Sequence, residues 1–179
     1  MFLVTLRSLR PPRKKFPKAR ESKHMSNDFE IVGFSDEWAK DFAALNYEWI
    51  EEYFEVEKHD SEILDDPKKW VIDPGGQIFM AIADSKAAGT VAMIPAGDGV
   101  LELTKMAVSP AFQERGIGSQ LIEACVEFAK NYGAKSVFLE SHTKLTPALM
   151  LYRKYDFTEV PGDPNSLYSR ADIRMELEI

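Results

Sequence analysis

Six consecutive residues, Gln113-Glu114-Arg115-Gly116-Ile117-Gly118, carry the types and spacing that most directly suggest chemistry. Two glycines let a backbone approach a ligand closely, and an amphipathic pattern starts at Ile117. A loop that opens onto a helix N-terminus presents free N–H groups and the positive end of the helix dipole, which suits an anion such as a pyrophosphate. Arg115 adds a fixed positive charge beside it. A dinucleotide fingerprint would need a third glycine where Leu121 stands, and a Walker loop would need a Gly-Lys-Ser/Thr run that the chain lacks. On position alone, phosphate binding and a purely structural turn both stay open. Cys125, the single cysteine, falls on the apolar face of the helix and reads as a small buried hydrophobe rather than a nucleophile. Three scattered histidines and one cysteine offer no metal-ligand spacing, so no metal is expected.

Two elements must hold this loop. Before it, Val100, Leu101, Leu103, Met106 and Val108 make an apolar run too short for a helix and ended by Ser109-Pro110. After it, Ile117, Leu121, Ile122, Cys125, Phe128, Ala129 and Tyr132 recur on one helical face, and Gly133 stands at the C-cap.

The stretch Val108-Ser-Pro-Ala-Phe-Gln-Glu-Arg-Gly-Ile-Gly-Ser-Gln-Leu-Ile122 resembles the acetyl-CoA-binding motif of the GNAT superfamily of N-acetyltransferases, Gln/Arg-x-x-Gly-x-Gly/Ala. Downstream, Ala148 to Phe157 resembles the family's A-x-x-x-Y-x-x-x-G-F segment. The likeness covers roughly Phe29 to Ile179 and is strongest from Leu101 to Phe157. It implies an α/β (α+β) fold with a mixed, mostly antiparallel, splayed sheet flanked by helices. It also implies acetyl-CoA as co-substrate and direct transfer to a primary amine of a small molecule or peptide.

Carried over residue by residue, Met106, Ala107 and Val108 would pair with the pantetheine arm as an added strand does. The Met106 N–H would polarise the thioester carbonyl. Gln113, Glu114, Arg115, Gly116, Ile117, Gly118 and Ser119 would hold the pyrophosphate. Glu102, six residues before Val108, matches the catalytic glutamate of histone-type members, and regular alternation would set Glu102, Thr104 and Met106 on one side of the strand. A half-buried carboxylate there would be pushed toward useful base strength. Tyr152 matches the tyrosine that protonates the leaving thiolate. The sequence departs from the pattern at Leu145, where asparagine is common, and at Asp156, where glycine is usual; Asp tolerates a left-handed turn better than most. His142 follows a late strand near the acceptor side and reads as a packed or solvated residue.

Length and composition suit one soluble globular domain: 179 residues, 45% hydrophobic and 28% charged. No run approaches the roughly 20 apolar residues of a membrane span. One cysteine excludes a disulfide framework and points to a reducing, cytoplasmic setting. Residues 1–24 hold eight of the 22 Lys/Arg and one of the 29 Asp/Glu, a net of +7, so the remaining 155 residues carry −14. That acidic body is unsuited to nucleic acid and attracts cationic amines. For the basic segment three readings stand: a disordered extension ahead of a natural start at Met25, an organelle presequence, or an arm for nucleic acid or membrane.

From Met25 to Ile179 a single domain is expected. Phe29 to Val32 reads as a strand, and Ser35 as an N-cap for a helix with Trp38, Phe42, Leu45, Trp49 and Tyr53 on one face. Glu48, Glu51, Glu52, Glu55 and Glu57 crowd its end. A short helix spans His59 to Leu64. Strands follow at Ile78–Ile82 and Gly89–Ile94, joined by an Asp84–Ala88 hairpin and followed by a Pro95–Gly99 turn. Ser136–Glu140 is a strand, Pro147–Tyr155 a helix, and Leu167–Leu177 carries a closing strand. A catalytically silent acyl-CoA-binding or regulatory module is the rival reading, since it needs the loop but neither Glu102 nor Tyr152. The resemblance also admits a homodimer.

Overall fold

The computed structural model of the protein describes residues 28–179. The expectations for segment 1–24, and for a domain opening at Met25, lie outside the described residues. Short apolar runs between turn residues form β1 (Phe29–Gly33), β2 (Gln77–Ala83), β3 (Lys86–Gly97), β4 (Val100–Val108), β5 (Ser136–Ser141), β6 (Thr158–Val160) and β7 (Ile173–Glu178). They make one sheet of order β1-β2-β3-β4-β5-β7-β6, in which only the β4–β5 pairing is parallel. The helices are α1 (Ala39–Tyr53), α2 (Lys58–Asp65), α3 (Ile117–Tyr132) and α4 (Thr146–Lys154). The α/β class and the mixed, mostly antiparallel sheet expected from the sequence are both present.

Strand alternation feeds two cores. On β2, Ile78 and Met80 pack with Phe42, Leu45 and Ile50 of α1 and with Ile63 and Leu64 of α2. Phe79 and Ala81 face the other way, to Leu121, Ile122 and Cys125 of α3. α3 ends at Gly133, whose φ of +79° lets Ala134 N–H reach Ala129 C=O at 3.0 Å. Asp156 takes φ +64°, the left-handed turn that its family-typical glycine would make. Among the described residues, no helix is long and apolar enough to cross a membrane.

Several boundaries differ from the sequence reading for local reasons. Ser35 does not cap by its side chain: its hydroxyl donates to Glu37 Oε1 at 2.8 Å, and a 3-10 turn, Asp36–Trp38, precedes α1. The β2–β3 hairpin tightens to Asp84-Ser85, both at positive φ, as a two-residue turn requires. The next turn is Asp98-Gly99, also at positive φ, so β3 runs through Pro95 to Gly97. A π-helical turn, Lys68–Ile72, and the three-residue strand β6 carry no periodic signal in the sequence.

The expected alternation along β4 breaks at Lys105. Thr90 pairs with Ala107 and Ala92 with Thr104, so Lys105 and Met106 together oppose Val91. This is a β-bulge, with Lys105 at φ +51°. Ahead of it Leu101 and Leu103 face α3; beyond it Met106 and Val108 do, while Ala107 packs toward α1. Glu102 and Thr104 therefore do not share a face with Met106, and that expectation is corrected. Leu121 lies at the centre of the α3 core with no exposed surface. Leu121→Ala should cost about 2–5 kcal/mol in chemical denaturation, the range for a cavity in a tight core.

Candidate active site

β4 pairs with β5 only from Val100–Glu102 against Ser136–Phe138. Beyond Glu102 the strands part, because β5 keeps β7 as far as Ser141 while bulged β4 stays with β3 as far as Val108. A sheet interior thereby acquires two facing, unpaired edges. Between them is a cleft of about 410 Å³, walled by Leu103 to Ser109 and by Glu140, Ser141 and His142. Ala148 and Tyr152 of α4, Glu48, Trp49, Glu52 and Tyr53 of α1, and Tyr168, Arg170 and Ala171 before β7 complete it.

At one end of the cleft stands the glycine loop. Gln113 lines the cleft and donates from Nε2 to Val108 C=O at 3.4 Å. Glu114 and Gly116 take φ +63° and +82°, turning the chain into α3. The first ladder bond of α3 runs from Gln120 N–H to Gly116 C=O at 3.2 Å. The N–H groups of Ile117, Gly118 and Ser119 are therefore left over for a ligand. The two glycines serve different needs. Gly116 has open space around it but a left-handed backbone, whereas a Cβ at Gly118 would lie 3.0 Å from Leu151 Cδ2 and 3.4 Å from Met106 Cε. Arg115 sits exposed, 5.1 Å above the Phe112 ring, and Lys154 Nζ donates to Ser119 Oγ at 3.3 Å. Lys154 is a second cation at this terminus that motif matching missed. The exposed Glu114 carboxylate opposes an anion there, so only its backbone suits the site.

In the throat of the cleft, Tyr152 and Met106 meet. The phenol is almost fully buried, and its hydroxyl donates to Met106 Sδ at 3.8 Å. Burial holds the Tyr152 proton on well above the ordinary tyrosine range. A neutral, buried O–H is thus kept as a donor beside the parted edge of β4.

Opposite lies an ionic cluster that sequence reasoning did not find. Asp60 of α2 has no exposed surface; its Oδ1 accepts from Lys105 Nζ at 3.0 Å and from Arg170 Nη2 at 2.8 Å. Its Oδ2 accepts from Arg170 Nη1 at 2.6 Å and from Glu57 N–H at 3.0 Å. Burial alone would raise this carboxyl, but the Arg170 bonds and the Lys105 charge outweigh it and bring it down to about 2. Lys105 is pulled the other way, its ammonium disfavoured by desolvation against the support of Asp60. Glu57 accepts from Ser169 N–H at 2.9 Å and from Arg170 Nη1 at 3.1 Å. Of the acidic residues around the end of α1, Glu57 is therefore an anchor for the segment before β7, whereas Glu48 and Glu52 face the cleft. One signal was available: Lys105 occupies an apolar phase of its strand, between Leu103 and Ala107.

Glu102 lies outside the main cleft. It lines a smaller pocket of about 170 Å³ with His59, Asp163 and Arg174, and Glu140 and Tyr168 line both. Desolvation raises the Glu102 carboxyl, with the Lys105 charge opposing. His142 lines the cleft beside Phe54, ring centres 5.3 Å apart. Its Nδ1 accepts Lys144 N–H at 3.0 Å, and Nε2 faces Asp172 Oδ2 at 3.6 Å, so both ring nitrogens are engaged.

The family model described as Acetyltransferase (GNAT) family matches residues 43–157. The chain is 29% identical over 104 residues to the uncharacterized N-acetyltransferase YvbK of Bacillus subtilis, covering 56% of this chain and 67% of that one. It is 28% identical over 141 residues to YobR of the same organism, covering 76% of this chain and 54% of that protein. Among solved structures, a GNAT-family acetyltransferase from Staphylococcus aureus Mu50 superposes with a TM-score of 0.77 at 16% identity, over 84% of this chain and 98% of that one. The PaiA N-acetyltransferase of Thermoplasma acidophilum, in complex with coenzyme A, gives 0.64 at 19%, over 84% and 99%.

Asp60→Asn should destabilise the protein by about 3–5 kcal/mol, because it leaves Lys105 buried without its carboxylate partner and Arg170 with Glu57 alone. The Asp60 carboxyl lies below its ordinary value, so its contribution is complete above about pH 4 and is lost as pH falls toward 2. Urea midpoints across that range should fall more steeply for the wild type than for the variant.

Proposed function

From the premise that the chain belongs to the acetyltransferase (GNAT) family, we propose that it transfers an acetyl group from acetyl-CoA directly to a primary amine. The observation that carries this reading is the parting of β4 from β5 just where Met106, Tyr152 and the glycine loop converge. An unpaired edge inside a sheet can take an extended, amide-bearing chain as an added strand, and the pantetheine arm is such a chain.

In this reading the free N–H groups at Ile117 to Ser119 take the pyrophosphate, with the backbone of Gln113 to Gly116 and the Arg115 side chain beside them. Met106, Ala107 and Val108 pair with the pantetheine, and the Met106 N–H polarises the thioester carbonyl. Tyr152 gives its proton to the departing thiolate. The amine enters from the α1 side. There the charges of Asp60 and Glu57 are balanced by Lys105 and Arg170, which leaves Glu48 and Glu52 to draw an ammonium group inward. The balance also leaves Arg170 unsuited to binding a free carboxylate on the acceptor. Acceptors with more positive charge than negative, such as polyamines, lysine side chains or peptide N-termini, fit this mouth.

The test is thiol release from acetyl-CoA across amines, amino acids, polyamines and lysine peptides. Release with one class and not the others supports transfer and names the acceptor. Tyr152→Phe should then lower kcat about 100-fold while acetyl-CoA affinity stays within about twofold. Tight acetyl-CoA binding with silence across the panel would favour the non-catalytic module.

A further inference from the structure

The end of α1 carries charge that the fold does not use. Glu48, Glu51 and Glu52 occupy its last turns and Glu55 follows; all four are exposed. None of them is ion-paired with a described residue. A helix C-terminus is the negative end of the helix dipole and disfavours carboxylates, and Glu48 repels Glu51 and Glu52 at spacings of three and four. No basic residue stands in the last turn to offset them. Folding gains nothing from this arrangement, which suits a cation arriving from elsewhere. Glu48 and Glu52 line the cleft, and Tyr53, 54% exposed, adds an aromatic ring that a cation can approach.

The chain itself supplies such a cation. Residues 1–24 carry a net charge of +7 against −14 for the remainder, and they include Lys14, Lys15, Lys18 and Lys23. They lie outside the described residues, but strand register locates the point from which they depart. Ile31 of β1 pairs with Ala81, Ala81 with Gly89, and Gly89 with Val108. Phe29 therefore enters the sheet at the end where β4 leaves the cleft, three strand spacings or about 14 Å away. At about 3.5 Å per residue, Lys18 can lie up to about 35 Å from Asp28 and Lys14 up to about 50 Å, which is ample to reach the mouth. Lys23, at about 17 Å, has little to spare.

We propose that the acceptor is the chain's own N-terminal segment: Lys14, Lys15 and Lys18 are drawn to the acidic end of α1 and acetylated by the molecule that carries them. This rests on the acetyl-transfer reading and names its acceptor. Tethering holds these lysines at an effective concentration of about millimolar. Arg10, Arg13 and Arg20 add to the attraction but stay protonated and so are not nucleophiles. The step balances as follows. The lysine ammonium gives one proton to solvent, and its nitrogen then bonds the thioester carbon. The C–S bond breaks with the electron pair on sulfur, which takes the Tyr152 proton. The amide nitrogen sheds a second proton, which restores Tyr152 through solvent. Each acetyl group removes one positive charge, so the segment loosens its own hold on the mouth as it reacts.

The test incubates the full chain with acetyl-CoA alone and locates acetyl groups by intact mass and peptide mapping, with spermidine thiol release measured in parallel. Lys14, Lys15 and Lys18 should be acetylated at least about 10-fold faster than the exposed domain lysines Lys40 and Lys130, at a rate independent of protein concentration. Tyr152→Phe should slow this about 100-fold. Glu48→Gln combined with Glu52→Gln should slow it about 10-fold, as should raising the salt. Arg at positions 14, 15 and 18 should abolish the mass increment in this segment. Spermidine turnover with a segment acetylated no faster than Lys40 would overturn this proposal and leave the acetyl-transfer reading standing. A rate proportional to protein concentration would place the acceptor on another molecule and overturn it too. Acetylation unchanged in Tyr152→Phe would be uncatalysed and would likewise overturn it. Silence toward both spermidine and the segment would overturn the acetyl-transfer reading along with it.

Discussion

The architecture turns on one fully buried carboxylate. Asp60 receives four hydrogen bonds, from a β4 lysine, from both terminal nitrogens of Arg170 and from the backbone at the start of its own helix. Taking three charges out of water is costly, and an apolar trio of equal volume could hold the fold as well. What the ions supply here is register. An apolar contact tolerates sliding, whereas a carboxylate shared by a lysine and an arginine fork fixes three chain segments against one another. Those segments, α2, the β4 bulge and the stretch before β7, bear directly on the cleft.

The bulge shows why such fixing is needed. Lys105 adopts a left-handed backbone that a β-strand residue with a long side chain avoids, at a cost of about 1–2 kcal/mol. Its reward is the Asp60 contact. The consequence is that β4 changes face in mid-strand, sending Met106 toward Tyr152 and Gly118 while Glu102 and Thr104 stay on the opposite side. Combined with the brief pairing to β5, this gives a strand with one edge satisfied by β3 and the other open to a ligand.

Much of this was legible in the sequence. The strand–loop–helix unit around Gly116 and Gly118 declares itself because local rules set it: alternation in the strand, positive φ in the loop and a 3.6-residue period in the helix. Tyr152 was singled out because the segment Ala148 to Phe157 resembles a family motif, and the structure places it in the cleft. The bulge was not legible, because one extra residue leaves the apolar pattern Leu101, Leu103, Met106, Val108 looking almost regular. The Asp60 cluster was hidden for another reason. Its members lie 45 and 110 residues apart in the chain, and a buried charge looks like a surface charge until its partners are known. Lys105 at an apolar phase was the one local clue. Glu57 was misleading in the opposite sense, standing among cleft-facing glutamates while serving the segment before β7.

Hydrogen–deuterium exchange of the full chain with and without coenzyme A tests the central claim most directly, because it reads the backbone groups on which the claim rests. The account predicts new protection at Met106 to Val108 and at Ile117 to Ser119, with little change along the β1–β2 edge of the sheet. Tight binding that protects other amides, or no binding at millimolar coenzyme A, would contradict it.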